Sequence, residues 1–268
     1  MEIKLENICY KNIIKNVNLN IKQNSIFAIM GKSGSGKTTL SEIIDLLTFP
    51  DSGNITFDKD LIGKDNFKMN KSNIGLVFQF PEEQFFCNTV EKEIEFGLNY
   101  LNKDINQIKK RVKDSLLMVG LDDSYLKRNI VSLSTGEKRK VAIASILAFN
   151  PNIIILDEPT IGLDEISKTN LIKILKMLKS KYNKTVIIIS KDSDLVHSIC
   201  DGVVIIDNGA VVLSGNKYDV FTKDVEVYGV KKPKIIEFEQ MVYKKKNIKL
   251  LYRDDINDLM KDVYRSVK

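Results

Sequence analysis

The sequence is poor in the residues that metal and redox sites are built from. Among 268 residues there is one histidine, His197, which excludes a site made of several imidazoles, such as a His-rich zinc site. The three cysteines, Cys9, Cys87 and Cys200, are far apart and show no C-x-x-C spacing. An odd, scattered set carries neither a disulfide framework nor a zinc ribbon, and it fits a reducing compartment. Arginine is scarce too: only Arg111, Arg128, Arg139, Arg253 and Arg265 stand among the 41 basic residues. Nucleic-acid readers tend to cluster arginine beside aromatics, so the net charge of +6 reads as lysine on a solvated surface and no nucleic-acid partner is expected. No apolar run approaches the roughly 18 residues of a membrane span. The charged start MEIKLENICY lacks the apolar stretch of a signal peptide. If the protein works at a membrane, other chains are expected to supply the spans.

What is present is ordinary for a globular chain, with 43% hydrophobic and 28% charged residues. The length gives one large domain or two small ones. Short apolar runs at 26–30, 153–156 and 186–189 show no polar alternation, the pattern of strands buried on both faces. A helical pattern follows each of them, which predicts an α/β domain with a parallel sheet. Between residues 81 and 150 the character changes. Ile105, Ile108, Val112, Leu116 and Val119 recur at helical spacing, no strand stands out, and the stretch reads as a helical insert. The apolar runs 203–206 and 211–213, joined through Asn208-Gly209, predict a β-hairpin. Past residue 224, Lys231, Lys232, Pro233 and Lys234 read as a linker, followed by helical segments with Ile256, Leu259, Met260 and Val263 on one face.

The strongest chemical signal is Gly31-Lys32-Ser33-Gly34-Ser35-Gly36-Lys37-Thr38. It matches the phosphate-binding pattern G-x-x-x-x-G-K-[ST], between an apolar strand and a helical run that opens at Thr39. The glycines let backbone N–H groups turn inward around phosphates, and the helix N-terminus adds a favourable dipole. Lys37 reaches β- and γ-phosphates in this pattern, and the Thr38 hydroxyl ligates Mg²⁺. A second signal is the apolar run 153–156 ending in Asp157 and Glu158. Asp157 is the candidate Mg²⁺ holder, and Glu158, aimed differently one residue on, is the candidate for orienting or activating water. Together these indicate a nucleoside triphosphate hydrolase or a kinase, and do not choose between them.

The following residues do choose. Leu133-Ser134-Thr135-Gly136-Glu137 precedes an amphipathic helix that runs into the Asp157 strand, and it resembles the L-S-G-G-Q signature of ABC-type ATPases. Gln79, after the apolar run 74–78, resembles that family's Q-loop glutamine, and Ile161-Gly162-Leu163-Asp164 its D-loop. The resemblance extends over residues 2–222. It implies a P-loop NTPase core with a parallel sheet, an antiparallel β subdomain and a helical insert. The implied units are a nucleotide-binding α/β core (1–80 and 151–223), a helical subdomain (81–150) and a C-terminal extension (224–268) that serves ATPase dimerisation.

It also implies that ATP is sandwiched between one chain's phosphate loop and the signature motif of a second ATPase subunit, head to tail. Ser134 and the Gly136 backbone would face the partner's γ-phosphate. Gln79 would couple γ-phosphate and Mg²⁺ to the helical insert, which presses on a membrane subunit. More narrowly, Phe78-Gln79-Phe80-Pro81-Glu82-Glu83-Gln84-Phe85-Phe86 resembles the ATPase subunits of energy-coupling factor transporters, importers of vitamins and trace-metal ions. That implies a paralogous second ATPase, a transmembrane coupling subunit, a membrane substrate-binding subunit, and work at the cytoplasmic face of the cell membrane. A conventional ABC transporter ATPase and a soluble ABC-type ATPase stand as alternatives.

Three features depart from the family pattern. Where the family carries a switch histidine after a strand, this chain has Ser190-Lys191. Lys191 can donate to a phosphate but cannot act as a neutral imidazole. His197, six residues later, is expected on a helix, as a surface or partly packed residue. Thr135 and Glu137 replace Gly and Gln of the signature, and Glu137 is expected to bring negative charge toward phosphate. Strict spacing puts Asn12 where the family has an adenine-stacking aromatic. Tyr10 takes that role if the loop is shortened, and otherwise packs on the sheet.

Overall fold

The computed structural model describes residues 1–63, 65–81, 85–99, 104–248, 250 and 256–267. Glu82, Glu83 and Gln84 of the stretch after Gln79 lie outside the described residues. The chain opens with the hairpin β1 (Ile3–Tyr10) and β2 (Ile14–Ile21), then β3 (Ile26–Met30) and α1 (Lys37–Ile44). A second hairpin, β4 (Ser52–Phe57) and β5 (Asp60–Ile62), precedes α2 (Phe67–Lys71) and β6 (Ile74–Val77). The helices α3 (Val90–Leu98), α4 (Ile105–Met118) and α5 (Thr135–Leu147) come before β7 (Ile153–Asp157). Then follow α6 (Glu165–Ser180), β8 (Thr185–Ile189), α7 (Ser193–Ile199), β9 (Gly202–Asp207), β10 (Ala210–Asn216), α8 (Lys217–Phe221), α9 (Lys234–Lys246) and α10 (Ile256–Val267).

The main sheet has the order β10-β9-β3-β8-β7-β6. All its pairings are parallel except β10 against β9. The apolar runs are continuous because each face has its own core. Ala28, Ile154, Leu156, Ile188 and Ile205 point into a core shared with the helices α3 to α7. Phe27, Ile29, Ile155, Ile187 and Ile206 point into another, shared with α1 and an antiparallel sheet. Side chains alternate between faces, and here both faces are covered, so no position calls for a polar residue. Each of the isoleucine, leucine and phenylalanine side chains contributes roughly 1.5–3 kcal/mol by leaving water.

The antiparallel sheet, of order β2-β1-β4-β5, packs on the α1 side. The predicted hairpin is β9–β10, with Asn208 and Gly209 at φ 48° and 82°, the left-handed pair that such a turn requires. A Cβ on Gly209 would stand 1.9 Å from the Ile13 carbonyl oxygen, so the bare glycine lets the β1–β2 turn dock there.

The helical stretch is as expected: α4 covers the predicted periodicity, with Ile108, Val112 and Leu116 buried and Ile105 exposed at its first turn. The predicted linker is corrected. Pro233 already caps α9, Ile236 is buried in the same core as α3 to α7, and the Lys234 amide donates to Asp194 Oδ1 at 2.8 Å. The lysines there mark a solvated helix start, not a free connection. In α10, Leu259 is buried while Met260 is exposed, so the apolar stripe is narrower than its spacing implied.

Candidate functional site

The order β3-β8-β7 places three loops side by side at the carboxyl edge of the parallel sheet. Ligands of open α/β sheets gather at that edge. The phosphate loop leaves β3, Ser190-Lys191 leaves β8, and Asp157-Glu158 ends β7. Residues 150 positions apart in sequence thereby face one cleft.

In the loop, Gly31, Gly34 and Gly36 have φ of 145°, 75° and 102°. A Cβ on Gly31 would stand 2.1 Å from the Ile206 carbonyl oxygen, whereas one on Gly34 would meet open space. Gly31 is thus bare for packing and Gly34 for its backbone turn. The loop curls so that Lys37 Nζ donates to the carbonyls of Gly31 at 3.0 Å and Lys32 at 2.6 Å. Burial lowers the Lys37 pKa, the neighbouring Lys191 charge lowers it further, and Glu158 and Asp157 pull it back up. Ser35 Oγ is buried and has no hydrogen-bond partner among the described residues. A buried hydroxyl is costly without a partner, and a phosphate oxygen in the loop would supply one.

The Thr38 side chain lies beside the Asp157 carboxylate. Burial raises the pKa of that carboxyl, while Lys37 and Thr38 hold it back. Hydroxyl and carboxylate oxygens are the hard donors that Mg²⁺ takes beside phosphate, so these two residues fit that ion. Glu158 sits in the left-handed region at φ 44°, held by its own amide donating to the Ile189 carbonyl at 2.8 Å. That backbone turn aims Glu158 differently from Asp157. The residue is 7% exposed, and its Oε2 accepts from the Lys191 amide at 3.3 Å. Burial pushes its pKa up against the pull of that hydrogen bond and of the Lys191 charge. Lys191 Nζ reaches across to Ser33 Oγ at 2.8 Å, so its ammonium stands on the phosphate loop itself.

Gln79 follows β6, and its backbone carbonyl accepts from Arg139 Nη1 at 2.7 Å. Arg139 also donates through Nη2 to the Ile161 carbonyl at 3.1 Å. One buried guanidinium on α5 therefore ties the Gln79 segment to the 161–164 segment. Sequence reasoning missed Arg139. An arginine beside apolar Val141 and Ala142 was the available hint, but spacing alone does not distinguish it from a solvated one. Asp164 caps α6, accepting from the Ser167 amide at 2.7 Å.

Ser134 caps α5 and forms a capping box with Glu137: the Glu137 amide donates to Ser134 Oγ, and the Ser134 amide to Glu137 Oε2. Tyr125 Oη donates to Glu137 Oε1 at 2.7 Å, and Arg128 lies 3.9 Å from it. The backbone hydrogen bond from Ser134 and the Tyr125 hydroxyl hold the Glu137 pKa down. The Glu137 carboxylate is thus tied to Ser134, Tyr125 and Arg128 of its own chain. A Cβ on Gly136 would stand 2.5 Å from Ser167 Oγ, so a larger residue there would have to displace the Ser167 hydroxyl of α6.

Tyr10 ends β1 beside the turn that packs on the loop; a Cβ on Gly36 would stand 2.9 Å from Ile14 Cδ1. The Tyr10 ring is half buried against the core under the antiparallel sheet, with Lys11 Nζ 5.0 Å from its centroid, while Asn12 is exposed. His197 lies on α7 as expected but is 2% exposed, with its ring 6.3 Å from that of Phe221. Of the two expected settings it takes the packed one, and more completely than expected. Among the described residues no helix is long and apolar enough to cross a membrane.

Residues 14–161 match the family described as ABC transporter. The chain is 35% identical to the energy-coupling factor transporter ATP-binding protein EcfA2 of Staphylococcus epidermidis, over 88% of this chain and 84% of that protein. It is 38% identical to EcfA2 of Clostridium perfringens, over 84% and 83%. Among solved structures it resembles cbiO1 of Clostridium perfringens, described as part of the ABC transporter complex cbiONQ. The TM-score is 0.78 at 31% identity, over 91% of this chain and 95% of that one. A dimeric ATP-binding cassette, MJ0796, in a post-hydrolysis state with ADP and Pi gives a TM-score of 0.69 at 28% identity, over 80% and 98%.

Proposed function

Because this chain belongs to the ABC transporter family, among the ATP-binding proteins of energy-coupling factor transporters, we propose a site-by-site account of how it binds and hydrolyses ATP to energise import. It is the ATPase subunit of such a transporter, working in an ATP-driven dimer and associated with membrane subunits. The observation that carries the mechanism is the convergence of Lys37, Asp157, Glu158 and Lys191 at one sheet edge.

Phosphate binding is the work of residues 31–39. The inward amides of the loop, the unpartnered Ser35 hydroxyl and the N-terminus of α1 receive the β- and γ-phosphates. Lys37, held in reserve on the Gly31 and Lys32 carbonyls, swings onto them. Thr38 and Asp157 would hold Mg²⁺, with Gln79 as a further oxygen donor. Held there, the ion would supply positive charge against the charge developing on the phosphate oxygens. Glu158, whose raised pKa makes it a better proton acceptor, orients and polarises the attacking water. Lys191, already on the loop, donates to the γ-phosphate. Tyr10 is the adenine platform in this reading, once Lys11 leaves its face.

The finer partnership rests on the resemblance. A second, paralogous ATPase closes head to tail, so that Ser134 and the Gly136 amide reach its γ-phosphate. The helical subdomain 81–150 presses on a transmembrane coupling subunit, a membrane substrate-binding subunit selects the vitamin or trace-metal ion, and the extension 224–268 helps pair the ATPases at the cytoplasmic face. Co-purification from membranes with each subunit identified tests this set. Within it, Glu158→Gln should retain ATP and lower hydrolysis by at least about 100-fold. Unchanged turnover would remove Glu158 from the mechanism.

A further inference from the structure

The phosphate loop is also held by the first residues of the extension 224–268. Lys32, the second residue of the loop, turns away from the phosphate cleft: its Nζ donates to the Val227 carbonyl at 3.2 Å, across 195 positions of sequence. Its stem lies on Gly229, where a Cβ would stand 2.5 Å from Lys32 Cγ and 2.9 Å from Cε. Gly229 has φ 69° and closes the short 3₁₀ turn Glu226–Tyr228. That turn is not loose. Val225 and Val230 on either side of it are buried in the core that also contains Met30, the last residue of β3 before the loop. Three residues past Val230, Pro233 starts α9.

The same residue that reaches the turn through its side chain offers its backbone carbonyl to Lys37 Nζ at 2.6 Å. The strap and the phosphate lysine thus meet on one peptide. We propose that Lys32 is a positioning residue through which the 226–229 turn, and with it the C-terminal extension, sets the shape of the phosphate loop and hence nucleotide affinity. Pulling the turn outward drags the Lys32 peptide and loosens the grip on Lys37. Seating it presents the loop amides ready-made, so less ordering is required when phosphate arrives.

This rests on the ATPase reading, and the experiment separates the two. The full chain is titrated with trinitrophenyl-ATP, and the assembled complex is assayed for KM and kcat. Lys37→Ala should abolish probe binding; if wild type binds no probe, it is the ATPase reading that fails. Lys32→Met keeps the stem and loses the donor. It should weaken probe binding about two- to tenfold, the worth of one hydrogen bond, raising KM with kcat unchanged. Lys32→Arg should restore most of the affinity. Gly229→Ala, which pushes a Cβ into the stem, should weaken binding in the same direction. The double variant Lys32→Met with Gly229→Ala should be no weaker than the worse single one. Lys32 acting by direct phosphate contact alone would leave Gly229→Ala at wild-type affinity or make the two effects multiply, and either result overturns the strap. If Gly229→Ala does not fold, Gly229→Asn, which tolerates the left-handed turn, takes its place with the Lys32→Met and Lys32→Arg pair. Wild-type affinity in Lys32→Met overturns the proposal by itself.

Discussion

Glu158 carries two consequences of one environment. It is buried beside Asp157 and Lys37, and burial raises its pKa above the ordinary 4.5. A raised carboxyl costs stability once it ionises. Below the unfolded-state value both states hold the proton and nothing is lost, and the cost reaches its full size as pH rises through the folded value. Glu158→Gln should therefore melt higher than wild type at mildly alkaline pH, by about 2–4 °C for each kcal/mol recovered. The gap should close as pH falls toward 4.5. Thermal melts across pH check this, and a gap that persists into acid would assign the gain to something other than charge. Lys191 makes the opposite kind of contribution. Its ammonium sits on Ser33 and lowers the Lys37 pKa, so it adds positive charge where product phosphate must leave. Replacing it by an uncharged imidazole, in Lys191→His, should raise the turnover of the assembled complex. An intact complex with no rise counts against that role. The lysine's identity was legible in sequence, but its reach to Ser33 was not, because β8 lies beside β3 only after the sheet forms.

At the scale of elements, α5 shows how a helix start can hold a functional motif. Ser134 and Glu137 cap each other, and Tyr125 and Arg128 secure the carboxylate. Ser134→Ala should cost about 1 kcal/mol of stability, read by urea denaturation, because the Glu137 amide loses its acceptor. Glu137→Gln, which can still accept from the Ser134 amide, should cost less, losing its charge toward Arg128 and the bond that Tyr125 donates to the second oxygen, which the amide NH2 replaces by donating to Tyr125 Oη. The parallel strands were readable as apolar runs because both their faces are covered. The start of α9 was not: a cluster of lysines around one proline looks like a linker until Asp194 and the core claim Lys234 and Ile236.

For the whole molecule, what matters is that the two motifs which the proposed ATP site brings together open different helices. The phosphate loop opens α1, whereas Ser134 is exposed at the start of α5, and among the described residues its side chain pairs only within its own capping box. A free chain should therefore bind ATP yet hydrolyse it slowly. The rate per chain should climb with chain concentration, and more steeply when membrane and ATPase partners are added, because pairing completes the site by mass action. Assaying turnover across a dilution series tests it; a rate per chain independent of dilution would mean that one chain suffices.

The sequence alone determined the chemistry and the class of fold. A glycine-rich loop with Lys37, two carboxylates after an apolar strand, and Leu133 to Glu137 before a helix are local patterns whose physics is carried by neighbours in the chain. Tertiary structure decided which of those residues meet. The strand order β3-β8-β7 set Lys191 between the phosphate loop and Glu158, burial turned Arg139 into a tie between two loops, and the capping box tied the Glu137 carboxylate to Ser134 and Tyr125. The physical reason is common to all three. Burial, pairing and orientation depend on groups far along the chain, and a spacing pattern describes only what is near.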